Sequence, residues 1–289
     1  MRVVVAMSGG VDSSVAAALL QQQGHEVIGI TLHLYDLPRA SAGSAARSCC
    51  SSNAIRAARR AAATLGIPHY SLDFRKQFEE QVIAGFCTDY GRGRTPNPCL
   101  ACNQRMKFGL LFERLTAFSA DCLATGHYAR VQRSADGSWQ LLQAQDTARD
   151  QSYFLFQLTQ ERLSRLLLPL GEYTKTEIRR IARELNLPVA DRKDSQDICF
   201  ALPDCREFLK QRHPEFFRAG KILNTAGETI GEHSGIAGLT LGQRKGLGLA
   251  LGTRNYIVHI DSEQNTIVLG TAEEAYRTVV YAESLNWIA

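Results

Sequence analysis

Three stretches of this chain carry residue types and spacings that chemistry needs. The first is Ser8-Gly9-Gly10-Val11-Asp12-Ser13-Ser14. Before it runs Val3-Val4-Val5, a β-branched segment suited to a strand buried on both faces. After it Val11, Val15, Ala18 and Leu19 recur at helical spacing in an alanine- and leucine-rich segment. A glycine-bearing turn between strand and helix gathers backbone N–H groups at the positive end of the helix dipole, which makes an anion site. The hydroxyls of Ser8, Ser13 and Ser14 add donors. No G-x-x-x-x-G-K-[ST] string occurs, so this is not the ordinary P-loop.

The second stretch runs from Gly91 to Phe108 and holds Asn97-Pro98-Cys99-Leu100-Ala101-Cys102 among arginines and Lys107. Two prolines around Asn97 predict a shaped loop that presents both thiols together. Basic surroundings lower a thiol pKa and make thiolate available for attack or for metal. A structural zinc site needs a second ligand pair, and the chain has no second C-x-x-C. The third stretch is Asp194-Ser195-Gln196-Asp197-Ile198-Cys199-Phe200, where polar neighbours read as a loop at a site mouth. Of the eight cysteines, Cys87 and Cys122 read as core residues. Cys49-Cys50 lies in a small, polar loop spanning 36–52.

These stretches need a frame. The chain of 289 residues is long enough for two domains, with 45% hydrophobic and 21% charged residues as in ordinary globular proteins. No apolar run of membrane-span length and no signal pattern occurs, which points to a cytoplasmic protein. A net charge of +4 favours a polyanionic partner only mildly. A second strand over Val27–Leu32 gives a strand–helix–strand start, hence an α/β fold with a doubly wound, mostly parallel sheet and a ligand at the strands' carboxyl ends. Leu32 ends that strand, and Gly126 follows another over Asp121–Thr125. Asn53 starts a helix whose outer face carries Arg56, Arg59 and Arg60, read as solvated. Thr174 and Glu177 form a capping box opening a helix. Past Cys205 the composition turns glycine-rich with short strand-like pieces, a smaller β-rich domain that includes the basic loop Thr240–Gly248.

The Ser8–Ser14 string resembles the pyrophosphatase loop of N-type ATP pyrophosphatases, which cleave ATP between its α- and β-phosphates. The ordered set resembles the tRNA-specific 2-thiouridylases, the MnmA family: that loop, Gly91–Phe108, Gly126-His127-Tyr128, Asp150–Leu155, Ile198-Cys199-Phe200 and Thr240–Gly248. The resemblance implies an adenine nucleotide alpha hydrolase-like fold and ATP-dependent replacement of the C2 oxygen of a tRNA wobble uridine by sulfur. Ala6, Met7, Ser8, Gly9, Gly10, Val11, Asp12, Ser13, Leu32 and Gly126 match the ATP site, and Asp12 is a candidate to hold Mg2+ on the pyrophosphate. Asn97, Pro98 and Cys99 match positions that contact the target base; Arg149, Asp150 and Gln151 match a tRNA-contacting segment. Cys102 and Cys199 match the catalytic pair, with sulfur arriving from a persulfide-carrying relay protein or as free sulfide.

Two departures accompany the match. Cys99 stands where many members have Asp, so Cys99, Cys102 and Cys199 are candidate ligands of a [4Fe–4S] cluster, and the persulfide and cluster routes both stay open. The family's C-terminal β-barrel is represented only by an expected stub at 279–289, after a catalytic domain over 1–205 and a β-rich domain over 206–278. An amidating ATP pyrophosphatase would share the loop without needing the cysteines. A non-enzymatic tRNA-binding module would bind tRNA without forming AMP.

Overall fold

The computed structural model describes residues 1–36, 52–193, 198–202, 204–249 and 254–288. The described residues fall into two units: 1–82 with 99–200 and 286–289, and 83–98 with 201–285. Cys49-Cys50 and Asp194–Asp197 lie outside the described residues.

In the first unit β1 (Arg2–Ala6), β2 (Glu26–His33), β3 (His69–Asp73), β4 (Cys122–Thr125) and β7 (Leu166–Leu167) form one sheet in the order β3-β2-β1-β4-β7. All four pairings are parallel. Val3, Val4 and Val5 have no exposed surface, as a β-branched run in the central strand requires. The order reverses beside β1, which opens a crevice at the carboxyl ends of β1 and β4. The antiparallel hairpin β5 (Ala129–Arg133) and β6 (Trp139–Gln143) follows β4.

Helix α1 (Val11–Gln22) begins at Val11, the first residue of its apolar spacing, with extended Gly10 as N-cap. That places Asp12 and Ser13 in its first turn. Helix α2 (Ser52–Leu65) buries Ala54, Ala57, Ala58, Ala61 and Ala62 and leaves Arg56, Arg59 and Arg60 exposed. Helix α3 (Arg75–Phe78) and α4 (Ala84–Gly91) are joined by a π turn over Glu79–Ile83.

The segment expected as a shaped loop is helical instead. Pro98 opens α5 (Pro98–Ala101), and a π-helix continues over Cys102–Leu111. Proline is compatible with the first helical position, where its missing N–H costs nothing, so Asn97-Pro98 begins a helix rather than blocking one. Helices α6 (Gln160–Ser164) and α7 (Lys175–Glu184) come next; α7 has the expected Thr174–Glu177 capping box and ends at Asn186 with φ of 50°.

The second unit holds α8 (Cys205–Arg212), then β8 (Gly220–Asn224), β9 (Thr229–His233), β10 (Tyr256–Asp261), β11 (Thr266–Gly270) and α9 (Ala272–Ala275). Its sheet has the order β10-β11-β8-β9 around Ile222, Ile236, Leu239, Ile257, Ile267 and Leu269. The strand expected after Val279 is absent among the described residues: Val280 and Tyr281 are exposed, and 277–288 contains no regular element. Its backbone has no neighbouring strand to satisfy it.

Candidate active site

A cavity of about 300 Å³ opens at the carboxyl ends of β1, β2 and β4. Ala6, Met7, Ser8, Gly10, Val11, Asp12 and Ser13 line it, with Leu32 and Gly126. Nine of the ten residues expected around the nucleotide therefore share one cavity wall.

The tenth, Gly9, supports the loop from behind. Its φ is +71°, and a Cβ there would lie 2.2 Å from the Ala54 carbonyl oxygen of α2. Gly126 has the same kind of role from the other side: a Cβ would stand 2.7 Å from the Ser13 amide nitrogen. Its missing side chain lets the end of β4 touch the start of α1. The loop is then held by its own hydroxyls. The Ser8 amide donates to Ser13 Oγ at 3.1 Å, and Ser14 Oγ donates to the Gly10 carbonyl at 2.9 Å. Ser14 is fully buried, so its hydroxyl is structural rather than the anion donor expected from its position.

Five cationic side chains line the same cavity: Lys107, Arg149, Lys175, Arg192 and Lys193. Arg192 Nη1 donates to the Gly9 carbonyl at 2.7 Å, drawing its segment against the loop. Among the described lining residues Asp12 is the one carboxylate. Lys175 Nζ lies 2.8 Å from both its oxygens, and Tyr128 Oη donates to Oδ1 at 2.8 Å. The carboxylate could serve Mg2+, which is commonly held by one or two carboxylates together with phosphate oxygens.

Thr125 Oγ1 and His127 Nδ1 share a hydrogen bond of 2.7 Å, and the His127 ring leans on Phe108. Loss of water around that ring, then the charge of Lys107, hold its pKa well below the ordinary histidine range. His127 is therefore a neutral part of the wall.

The segment 149–151 divides by role. Arg149 is exposed and lines the cavity. Asp150 turns inward, accepting from the Ala144 amide at 2.9 Å and from Ser152 Oγ at 2.6 Å. Gln151 clamps Tyr128: its Oε1 accepts from the Tyr128 amide at 3.0 Å, and its own amide donates to the Tyr128 carbonyl at 2.7 Å.

Cys99 is exposed on α5 and Cys102 is half-buried at the start of the π-helix. Buried Asn103 ties that helix to the Phe154 carbonyl at 3.1 Å. In π geometry residue i+5 lies roughly above residue i, so Lys107 follows Cys102 on one face and reaches the cavity wall. Cys199 is half-buried, and its neighbour Phe200 anchors the segment edge-on against Phe78. Asn97, exposed, and Pro98, buried, belong to the second unit. Cys87 and Cys122 are buried, and burial raises the Cys122 thiol pKa, as suits core residues.

Comparison with known proteins follows from this geometry. Residues 1–203 match the family described as tRNA methyl transferase HUP domain, and 206–271 match its PRC-barrel domain. A protein named tRNA-specific 2-thiouridylase MnmA from Carboxydothermus hydrogenoformans is 48% identical over 289 residues, covering 99% of this chain and 79% of that protein. The chain belongs to the tRNA-specific 2-thiouridylase family. A thiouridylase of the same name from Geobacter metallireducens is 46% identical, with 99% of this chain and 79% of that protein covered. A predicted tRNA methyltransferase subunit from Methanocaldococcus jannaschii has a TM-score of 0.40 and 19% identity, covering 64% of this chain and 75% of its own, too slight a likeness to carry weight.

For this thiouridylase-family chain, the candidate [4Fe–4S] ligand set, one of the two routes left open, does not come together among the described residues. Among the described residues no three His, Cys, Asp or Glu side chains come together as a metal-holding group, so Cys99, Cys102 and Cys199 do not form one. Cys99 sits on an exposed helical turn, and helical spacing alone does not bring a third thiol to it. Among the described residues no helix is long and apolar enough to cross a membrane.

Lys107, Lys175, Arg192 and Lys193 were not legible as residues of this cavity. Lys175 carried one local signal, its place in the first turn of a capped helix. That signal marks a helix start without saying what the start points at.

Proposed function

We propose that this chain uses ATP to replace the C2 oxygen of a tRNA uridine, the wobble base, by sulfur. One observation carries the reading: a Ser-Gly-Gly-x-Asp-Ser-Ser turn at a helix N-terminus forms the wall of a cavity lined, among the described residues, by five cations and one carboxylate. That is the charge pattern for a polyphosphate that must leave.

The uridine O2 attacks the α-phosphorus of ATP, the bond to the bridging oxygen breaks, and pyrophosphate departs toward the Ser8–Ser13 amides. Lys107, Arg149, Lys175, Arg192 and Lys193 offset its charge. Asp12 would hold Mg2+, whose role is to spread charge over the phosphates. The carbonyl oxygen, a poor leaving group, now leaves as part of AMP. Because the target carbon must reach the adenylate, the base leaves its stack.

A persulfide on Cys199, charged by a relay protein, attacks C2 through its terminal sulfur and expels AMP. The Cys102 thiolate then attacks Cys199 Sγ, breaking the sulfur–sulfur bond and leaving thiouridine. The resulting Cys102–Cys199 disulfide returns to two thiols through an external thiol reductant. Free sulfide attacking C2 directly is the second donor route. The reaction belongs to the cytoplasm, where tRNA, ATP and reducing thiols meet.

The test is nucleoside mass spectrometry of unmodified tRNA incubated with the protein, ATP, Mg2+ and either a persulfide donor or sulfide. Formation of 2-thiouridine, lost in both Cys102→Ala and Cys199→Ala with the persulfide donor, is the expected result. AMP release without thiouridine from either donor overturns the sulfur-transfer reading. Unchanged thiolation in Cys199→Ala with the persulfide donor overturns the role given to Cys199.

A further inference from the structure

None of the steps of adenylation or sulfur transfer uses the basic loop Thr240–Gly248 of the second unit, yet its backbone has the form of an anion cradle. φ is positive at Gly246 and Gly248, 78° and 73°, and not at Lys245 or Leu247. Alternation of this kind turns successive amides toward one side, where they make a concavity for an anion. Among the described residues the amides of Arg244–Gly248 donate to no acceptor. The side chains of Arg244 and Lys245 stand exposed beside them.

The cradle is braced. Gly242 N donates to the Ile257 carbonyl at 2.7 Å and Ile257 N donates to the Gln243 carbonyl at 3.0 Å, which fixes the loop to β10. The Gln243 side chain spans the turn, accepting from Thr240 N at 3.0 Å and donating to the Lys245 carbonyl at 2.9 Å. A loop held in place before binding loses little freedom when it binds. Thr240 also joins the segment 91–98 of the same unit: Thr95 Oγ1 donates to Thr240 Oγ1 at 3.1 Å, and a Cβ on Gly93 would press to 2.7 Å from Ile260 Cγ2 of β10. That segment carries exposed Arg92 and Arg94 and runs directly into Asn97. Thr95 and Asn97 are two residues apart, a span of at most about 7 Å.

The loop stands open: among the described residues no atom lies within 4 Å of a Cβ at Gly242 or Gly248. An open loop covers too little of a small anion to hold it alone. Along a polyanion such contacts add, each releasing counter-ions. The stretch 233–260 contains no Asp or Glu, so the chain on either side of the loop adds no opposing charge. We propose that Arg244, Lys245 and the amides of Gly246–Gly248 hold phosphates of the tRNA strand next to the target uridine, and that the Thr240–Thr95 junction keeps those phosphates in register with Asn97. The inference rests on reading Asn97 and Pro98 as contacts of the target base.

The rival is a solvated turn that touches no RNA. Fluorescence anisotropy decides between them, with labelled unmodified tRNA and a labelled anticodon stem-loop, on the full chain without ATP or sulfur donor, over about 0.05–0.3 M salt. The double variant Arg244→Gln, Lys245→Gln should bind both RNAs about tenfold more weakly at low salt, and its slope of log affinity against log salt should flatten by about 1.4–1.8, two phosphate contacts. Gly248→Ala keeps both charges but strains the positive φ that aims the amides. It should weaken both RNAs about threefold with the slope kept. Thermal melts confirm folding, and ATP affinity by calorimetry should stay at the wild-type value. Unchanged RNA affinity and slope in the folded double variant overturn the proposal, as does an equal loss of ATP affinity. A loss seen with tRNA but not with the stem-loop overturns the placement next to the target uridine, and unchanged binding in folded Gly248→Ala overturns the amide cradle. Wild-type thiolation reports separately: the predicted RNA-binding losses without any thiouridine from the wild type would sink the sulfur-transfer reading and leave the loop's role standing.

Discussion

Two glycine-bearing loops drew attention in the sequence, Ser8–Ser14 and Thr240–Gly248, and they are built on different principles. In the first, Gly9 has a left-handed backbone and no room: a Cβ would press to 2.2 Å from Ala54 of α2. Gly126 closes the other side against Ser13. In the second, Gly242 and Gly246 also have positive φ, 79° and 78°, but among the described residues no atom stands within 4 Å of a Cβ at Gly242, and only Gln243 Nε2, at 3.8 Å, at Gly246. That loop is tied to β10 by its backbone, with Gly242 N donating to the Ile257 carbonyl at 2.7 Å and Ile257 N donating to the Gln243 carbonyl at 3.0 Å, and by the Gln243 side chain, whose Oε1 accepts from Thr240 N at 3.0 Å and whose Nε2 donates to the Lys245 carbonyl at 2.9 Å. Glycine is needed in the first loop for space and backbone, in the second for backbone alone.

The contrast can be broken by substitution. Gly9→Ala has the largest expected effect. The left-handed backbone costs about 1–2 kcal/mol, and overpacking adds about 1–3 kcal/mol. Urea denaturation should show the sum, and ATP affinity should collapse because the loop and α2 are pushed apart. Retained ATP binding at wild-type stability would remove the packing argument. Gly126→Ala carries the packing cost alone, about 1–3 kcal/mol, with weakened ATP binding by calorimetry. Gly246→Ala should cost only the backbone term, about 1–2 kcal/mol, and leave ATP affinity untouched. If Gly246→Ala proves as damaging to ATP binding as Gly126→Ala, the two loops are not of different kinds.

The smallest expected effect is on pH. The cavity beside the first loop includes His127, whose folded pKa lies well below 6.5. The open loop contains no histidine. The unfolded chain takes up that proton first as pH falls, so stability is intact above about 6.5 and declines below it. The slope is up to about 1.4 kcal/mol per pH unit. Urea curves at pH 7.5 and 5.5 measure it, and a His127→Gln variant should flatten the difference. An unchanged slope in that variant would assign the acid sensitivity elsewhere, to His69 or His233, whose pKa values burial also lowers.

Much of the frame was legible. Val3–Val5 announced a central strand because a run with no polar position admits only burial on both faces. The capping box at Thr174 announced α7 because it satisfies that helix's own first amides. Other elements misled for equally local reasons. Proline at 98 looked like a helix breaker, yet at the first position it is compatible with a helix. Ser14 looked like a donor for ligand, yet one residue past the cavity wall its hydroxyl folds back onto Gly10. Nothing in the segment 277–288 could say whether a strand would find a partner.

By itself the sequence determined the identity of the reactive groups and the local turn that holds the Ser8–Ser14 amides, since both depend on neighbours a few residues away. It also determined the family, because matching strings recur in order along nearly the whole chain. Only the tertiary structure decided which cations face the loop. Lys175 meets Asp12 across 163 residues and Arg192 meets Gly9 across 183. Such pairings arise when α1, α7 and the segment after it pack at one end of the sheet. No local propensity encodes them, because the energy that selects them comes from burial of the apolar faces beneath, not from the charges they bring together.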